Sequence, residues 1–171
     1  MSLGLLLLRL LLAGLLFGHG TQKLLGWFGG AGPAGTGTAF EKWGFVPGAR
    51  MAVLAALTEL AGAASIATGL LTPGGCALVI GTMTVAAAAT APNGFWAQQG
   101  GCEVSFCYGA LAVVLAFAGP GPWSLDHALG LAWLSGYGWG VAAVAVGLAA
   151  ATVPLTLRAR VRRGRRSTET R

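Results

Sequence analysis

Residues Met51–Leu71 read MAVLAALTELAGAASIATGLL, an apolar run broken by a single charge, Glu59. From Leu60 to Cys102 no Asp, Glu, Lys or Arg follows. At about 1.5 Å per residue, a run of this length covers the roughly 30 Å hydrocarbon layer of a bilayer as a helix. A carboxylate near its middle costs about 2.5–3.5 kcal/mol on insertion scales, so it needs a partner, a proton or a task.

The same pattern recurs on either side. Apolar stretches at Leu3–Gly20, Cys76–Ala91, Val104–Ala118 and Tyr137–Leu157 are separated by Gly/Pro-rich turns. The chain of 171 residues is 55% hydrophobic and only 9% charged, against roughly 25% charged in a soluble domain. It is therefore expected to be an all-α, polytopic transmembrane bundle with no independently folded soluble part. The stretches at Cys76–Ala91 and Val104–Ala118 are short and must tilt little, borrow flanking residues or thin the bilayer. Met1–Gly20 lacks a basic leader, carries Arg9 within its apolar run and shows no small-x-small site before His19. It reads as a retained first helix rather than a signal peptide.

The net charge of +6 is concentrated in Arg158, Arg160, Arg162, Arg163, Arg165, Arg166 and Arg171. Such a cluster after a span places that end in the cytoplasm and suits contact with anionic lipid rather than nucleic acid. Five spans then leave the N-terminus outside and the Lys23–Arg50 connection inside. Lys23, Lys42 and Arg50 agree, whereas Thr72–Gly75 and Gly119–Ser135 hold no Lys or Arg.

The connections and small residues carry weaker signals. Gly29–Thr38 is Gly-rich and expected to be mobile. Phe40-Glu-Lys-Trp-Gly-Phe45 suits the headgroup level, and Trp27, Trp96, Trp123 and Trp139 fall near span ends, as an aromatic belt requires. Gly14-xxx-Gly18 and Gly136-xxx-Gly140 offer faces for close helix approach. Cys76, Cys102 and Cys107 form neither a CxxC nor a metal-ligand pattern and read as small packed side chains. No haem, iron–sulfur or flavin motif is present, so no intrinsic cofactor and no metal site are expected.

The buried polar residues are the candidates for function. Counting from the span ends puts Arg9 and Glu59 at depths from which they can meet, giving an Arg9–Glu59 pair between the first two spans. The alternative has Arg9 snorkelling outward and Glu59 protonated. His19 and Lys23 share one helix face that turns to the same side as Arg9. Glu103 opens the fourth apolar stretch at the same level, preceded by Asn93, Gln98 and Gln99, so His19, Lys23 and Glu103 can form a polar cluster. These groups are either architectural or line a pocket for a quinone-like or thiol-related ligand, with the carboxylate or the histidine moving protons.

Three blocks carry a family likeness. Leu8-Arg-Leu10 with Gly14, Phe17, His19-Gly20 and Lys23-Leu24 comes first; Glu59-Leu-Ala-Gly62 with Gly69-Leu-Leu-Thr-Pro73 comes second. Gly94-Phe-Trp-Ala-Gln-Gln-Gly-Gly-Cys-Glu103, followed after a span by Gly119-Pro-Gly-Pro-Trp-Ser-Leu-Asp126, comes third. In this order over residues 1–128 they resemble the DoxX family of small bacterial membrane proteins. Cys102 departs from the aromatic residue usual in relatives, and the helix after Asp126 extends beyond the usual four-span core.

The resemblance implies a four-helix membrane core over 1–128 in the bacterial plasma membrane; beyond it, hydropathy and charge predict an additional helix over 129–157 and a basic, disordered cytoplasmic tail over 158–171. It implies a membrane subunit of a quinone-linked or thiol/sulfur-related oxidoreductase complex, working with a diffusible quinone and a soluble dehydrogenase or sulfur-transfer partner. Glu59, Arg9 and His19 are then the candidates for proton handling, and Lys23, Asn93, Glu103 and Asp126 for ligand binding. The competing expectation is a non-catalytic scaffold or small-molecule conduit in which Arg9–Glu59 is an architectural ion pair.

Overall fold

A computed structural model describes residues 2–169 of the chain. Among these residues seven α-helices follow in order: α1 (Ser2–Leu24), α2 (Gly32–Trp43), α3 (Gly48–Thr68), α4 (Thr72–Thr90), α5 (Glu103–Ala118), the short α6 (Leu125–Ala128) and α7 (Tyr137–Glu169). Helix is what lipid demands, because it satisfies the backbone within each segment where no water is available. The helices α1, α3, α4 (extended by a turn to Asn93) and α7 are long and apolar enough to cross a membrane. At 16 residues, α5 is a shorter apolar helix.

All five pack around one core. Leu12 and Leu16 of α1, Ala63 and Ile66 of α3, Cys76, Val79 and Ile80 of α4, Leu115 of α5 and Ala143 of α7 form a single buried cluster. The central helix is α4, packed against α3, α5 and α7. Small residues set its distances. A Cβ on Gly81 would meet Gly147 O at 2.9 Å, and one on Gly147 would meet Ala77 O at 2.8 Å, so α4 and α7 touch nearly backbone to backbone. The last span thus shares the core of the other four. The outward faces keep Leu7, Leu11, Phe17, Leu54, Leu57, Phe106, Val114, Val146 and Val153 exposed, as a lipid-facing surface requires.

Three expectations need correction. Gly29–Thr38 is not a mobile loop: most of it lies in α2, which opens with a proline in its first turn and closes at left-handed Gly44. Gly37 serves packing, since a Cβ there would meet Ala49 N at 2.6 Å at the start of α3. Glu41 then caps α3, its Oε1 accepting from Gly48 N–H at 3.0 Å. Second, Gly14 and Gly18 face open space; only Gly140 of the proposed small-residue faces is tightly covered, by the Phe117 ring.

Third, the arginine tail is not a disordered extension, because α7 continues through it as far as Glu169, where the described residues end. Like-charge repulsion is offset because α7 docks on backbone acceptors. Arg158 donates to Trp43 O at 2.9 Å and Ala88 O at 2.8 Å, and Arg165 donates to Glu41 O at 3.0 Å. Arg171 lies outside the described residues.

Replacing Gly147 by leucine is expected to force α4 and α7 apart at a cost of about 1–3 kcal/mol. Thermal unfolding in mild detergent should show a lower midpoint. Gly138→Ala, at a position with open space around it, should leave the midpoint close to that of the parent.

Candidate functional site

The polar side chains collect at the two ends of the bundle. At one end Arg9, 1% exposed, reaches from α1 into the last turn of α3. Its Nε donates to Ile66 O at 2.8 Å and its Nη2 to Ala67 O at 2.7 Å, while Nη1 donates to Pro120 O at 2.9 Å and Trp123 O at 2.7 Å. A cation thereby adds donors to the carbonyls at the end of α3, where among the described residues Ile66 O otherwise accepts only the Gly69 N–H at 3.3 Å. Gly69, which closes α3, has φ +64°. A Cβ there would come within 2.7 Å of Arg9 Nη2 and 2.5 Å of Ser124 Cβ, so only glycine fits.

Asp126 completes this end. Its Oδ1 accepts from Leu71 N–H at 2.7 Å, and its Oδ2 accepts from Thr72 N–H at 3.0 Å and from the Thr72 hydroxyl at 2.8 Å. The carboxylate caps the N-terminus of α4. It also holds Leu71 in a left-handed conformation (φ 50°) that a non-glycine residue adopts only at a cost of about 1–2 kcal/mol. Six of the seven side-chain hydrogen bonds of Arg9 and Asp126 thus go to backbone, and they tie α1, the α3–α4 turn and the segment after α5 together.

At the opposite end Glu59, 2% exposed, meets Lys23. Lys23 Nζ lies 2.7 Å from Oε2 and 2.9 Å from Oε1, and donates to His19 O at 3.3 Å. The lysine side chain remains 20% exposed against 3% for the glutamate, so the pair reaches the surface of the bundle through Lys23. The His19 ring stands edge-on to Tyr108 of α5, 5.6 Å between centroids. Three helices therefore converge here on an ammonium, a carboxylate, an imidazole and a phenol.

This overturns the Arg9–Glu59 pair. In the antiparallel packing of α1 on α3, Gly20 sits against Leu60, where an added Cβ would meet Leu60 Cγ at 2.7 Å. Glu59 is therefore level with the Gly20–Lys23 turn, and Arg9 stands roughly 16 Å farther along α1. Arg9 does not snorkel outward either, since its four acceptors are inside. The His19–Lys23–Glu103 cluster does not form. Glu103 folds back on its own connection, with Oε2 accepting from Ala97 N–H at 2.8 Å, while Asn93 donates to Gly100 O at 3.1 Å. Tyr108, Thr72 and Ser124 escaped the sequence reading; the hydroxyl of Thr72 beside Pro73, at a span start, was the available signal for a capped helix end.

A comparison with protein families matches the family model DoxX over residues 4–92, more than half of the chain. The chain belongs to the DoxX family. No curated protein and no solved structure matches it. The DoxX match takes in α1 to α4, and with them Arg9, His19, Lys23 and Glu59; Asn93, Glu103 and Asp126 lie beyond it. Like its helices, this membership makes it a multi-pass membrane protein. Among the described residues of this DoxX chain no three His, Cys, Asp or Glu side chains group as metal ligands. Cys76 is buried in the core, and Cys102 and Cys107 are likewise free thiols.

Two substitutions separate the two ends. Arg9→Lys replaces a forked set of donors by a compact ammonium and is expected to lose at least one charged hydrogen bond, about 1.5–3 kcal/mol; unfolding in detergent reads this directly. At the other end, Lys23→Glu and Glu59→Lys should each lower abundance in membranes. Combined in one chain they should recover much of it, whereas Arg9→Glu with Glu59→Arg should not.

Proposed function

We propose that the chain is the membrane subunit of a quinone-linked, thiol- or sulfur-related oxidoreductase complex, and that the Lys23–Glu59–His19–Tyr108 cluster handles protons for it. The observation that carries this reading is the contrast between the two ends. Arg9 and Asp126 are locked into backbone bonds, whereas Glu59 is a buried carboxylate held by one side-chain ion pair, with a second titratable ring nearby. A carboxylate in such surroundings inside a membrane is by default a candidate for a proton relay.

The chemistry is a two-electron, two-proton reduction of a quinone to a quinol. Electrons come from a soluble dehydrogenase or sulfur-transfer partner, because this chain supplies no redox group in the proposal. Lys23 and His19 provide donors for the quinone oxygens as negative charge develops there, and Glu59 and His19 pass protons from the bundle end. The arginine-bearing end then faces the cytoplasm and the N-terminus the other side, as the charge bias favours.

A scaffold reading is favoured by a different observation. Among the described residues no buried side-chain nitrogen or oxygen lacks a hydrogen-bond partner, so every buried charge has a structural reason to be there.

Inverted membrane vesicles carrying the chain with its co-purified partners test the first reading through quinol formation. Glu59→Gln, which keeps the shape and removes the titrating group, should lower the rate about 100-fold or more at unchanged abundance, within the roughly 10²–10⁴-fold worth of a positioned acid–base group. An undiminished rate, or full activity in the charge-swapped Lys23→Glu, Glu59→Lys chain, would reduce the pair to a clamp.

A further inference from the structure

We propose that the arginine end of α7 binds the phosphate headgroup of an anionic membrane phospholipid through Arg162 and Arg163. Leu155, Arg158, Ala159, Arg162 and Arg163 line a cavity of about 230 Å³ on one face of the helix. Their spacing of three and four residues aligns them along a single stripe. Arg158 is the fixed wall of this cavity. It is tied to Trp43 O and Ala88 O, and its guanidinium stacks over the Phe45 ring at 5.4 Å. The stem of Arg162 lies against Gly44, where an added Cβ would come within 3.0 Å of Arg162 Cγ.

The charged heads of Arg162 and Arg163 are exposed, and among the described residues no hydrogen bond or ion pair to them occurs. The neighbouring Glu41 does not neutralise them through its capping oxygen, since Oε1 is turned to Gly48 N–H. Guanidiniums gathered on one helical stripe repel one another until an anion lies between them. A phosphate diester suits this arrangement because its paired oxygens accept from guanidinium forks.

The source of the phosphate follows from position. The cavity begins at Leu155, near where the apolar part of α7 ends, and Leu148, about two turns earlier on the same helix face, is 47% exposed. Acyl chains can lie along these side chains while the headgroup reaches the arginines. A soluble anion would use the arginines but gain nothing from the leucine floor. This site is separate from the Lys23–Glu59 cluster and does not depend on its role.

Native mass spectrometry of the purified full-length chain in mild detergent, titrated with phosphatidylglycerol or phosphatidylcholine, tests the assignment. Phosphatidylglycerol should be retained preferentially. Arg162→Gln or Arg163→Gln should each weaken that retention about fivefold, and the two together about 25-fold. Both substitutions leave the Arg158 anchors in place, and circular dichroism checks that helicity is kept. Arg160→Gln, outside the cavity lining, should retain the lipid as the parent does. Equal retention of the two lipids, an unchanged preference in the double variant, or an equal loss in Arg160→Gln would overturn the proposal. Displacement of phosphatidylglycerol by equimolar inorganic phosphate would overturn it too, by making the cavity a site for a soluble anion.

Discussion

The guanidinium of Arg9 is the interaction on which the rest of the structure depends. Every helix ends with carbonyls that have lost their donors, and within a bilayer no water replaces them. Arg9 supplies donors to two of these on α3 and to two more on the Pro120–Trp123 segment, so one side chain fixes where a span stops and where a distant loop must lie. Asp126 does the complementary work at the start of α4. A positive group at the end of one helix and a negative group at the start of the next leave the tight α3–α4 turn close to neutral, which a low-dielectric setting favours.

Between the two polar ends the bundle relies on shape. Gly62 against Val79, Gly81 against Gly147 and Gly20 against Leu60 bring helices close enough for dispersion to hold them where lipid gives no hydrophobic drive. A hydroxyl pair, Thr82 to Thr58 at 2.9 Å, adds one polar link between α3 and α4. Since α4 touches α3, α5 and α7, the register of those contacts also decides which polar groups can meet at either end.

That register explains what could and could not be read from the chain. The five apolar helices were legible because hydrocarbon thickness leaves a strong imprint on composition. The inward turn of Arg9, His19 and Lys23 followed from helical angles alone. The partner of Glu59 did not follow, because depths counted from span ends carry an error of a turn or more at each end, and the contact of Gly20 with Leu60 sets the true offset. The helix α2 was hidden because glycine signals looseness locally, whereas here it permits close packing. The arginine tail read as disordered because the acceptors that order it, Trp43 O, Ala88 O and Glu41 O, are remote in sequence. Asp126 came to notice only through family likeness, since a carboxylate in a Pro/Gly-rich connection has no periodicity to betray its role.

The acceptors of Arg9 also order events in time. A chain made from its N-terminus delivers this cation to the membrane first, when neither α3 nor the Pro120–Trp123 segment exists. Two of its bonds become available once α3 follows, and the other two only after α5 has emerged. The first helix therefore carries a charge whose full set of acceptors exists only once its later neighbours have arrived. Biogenesis of this bundle is a closing of the chain upon its own beginning, rather than an addition of finished helices one by one.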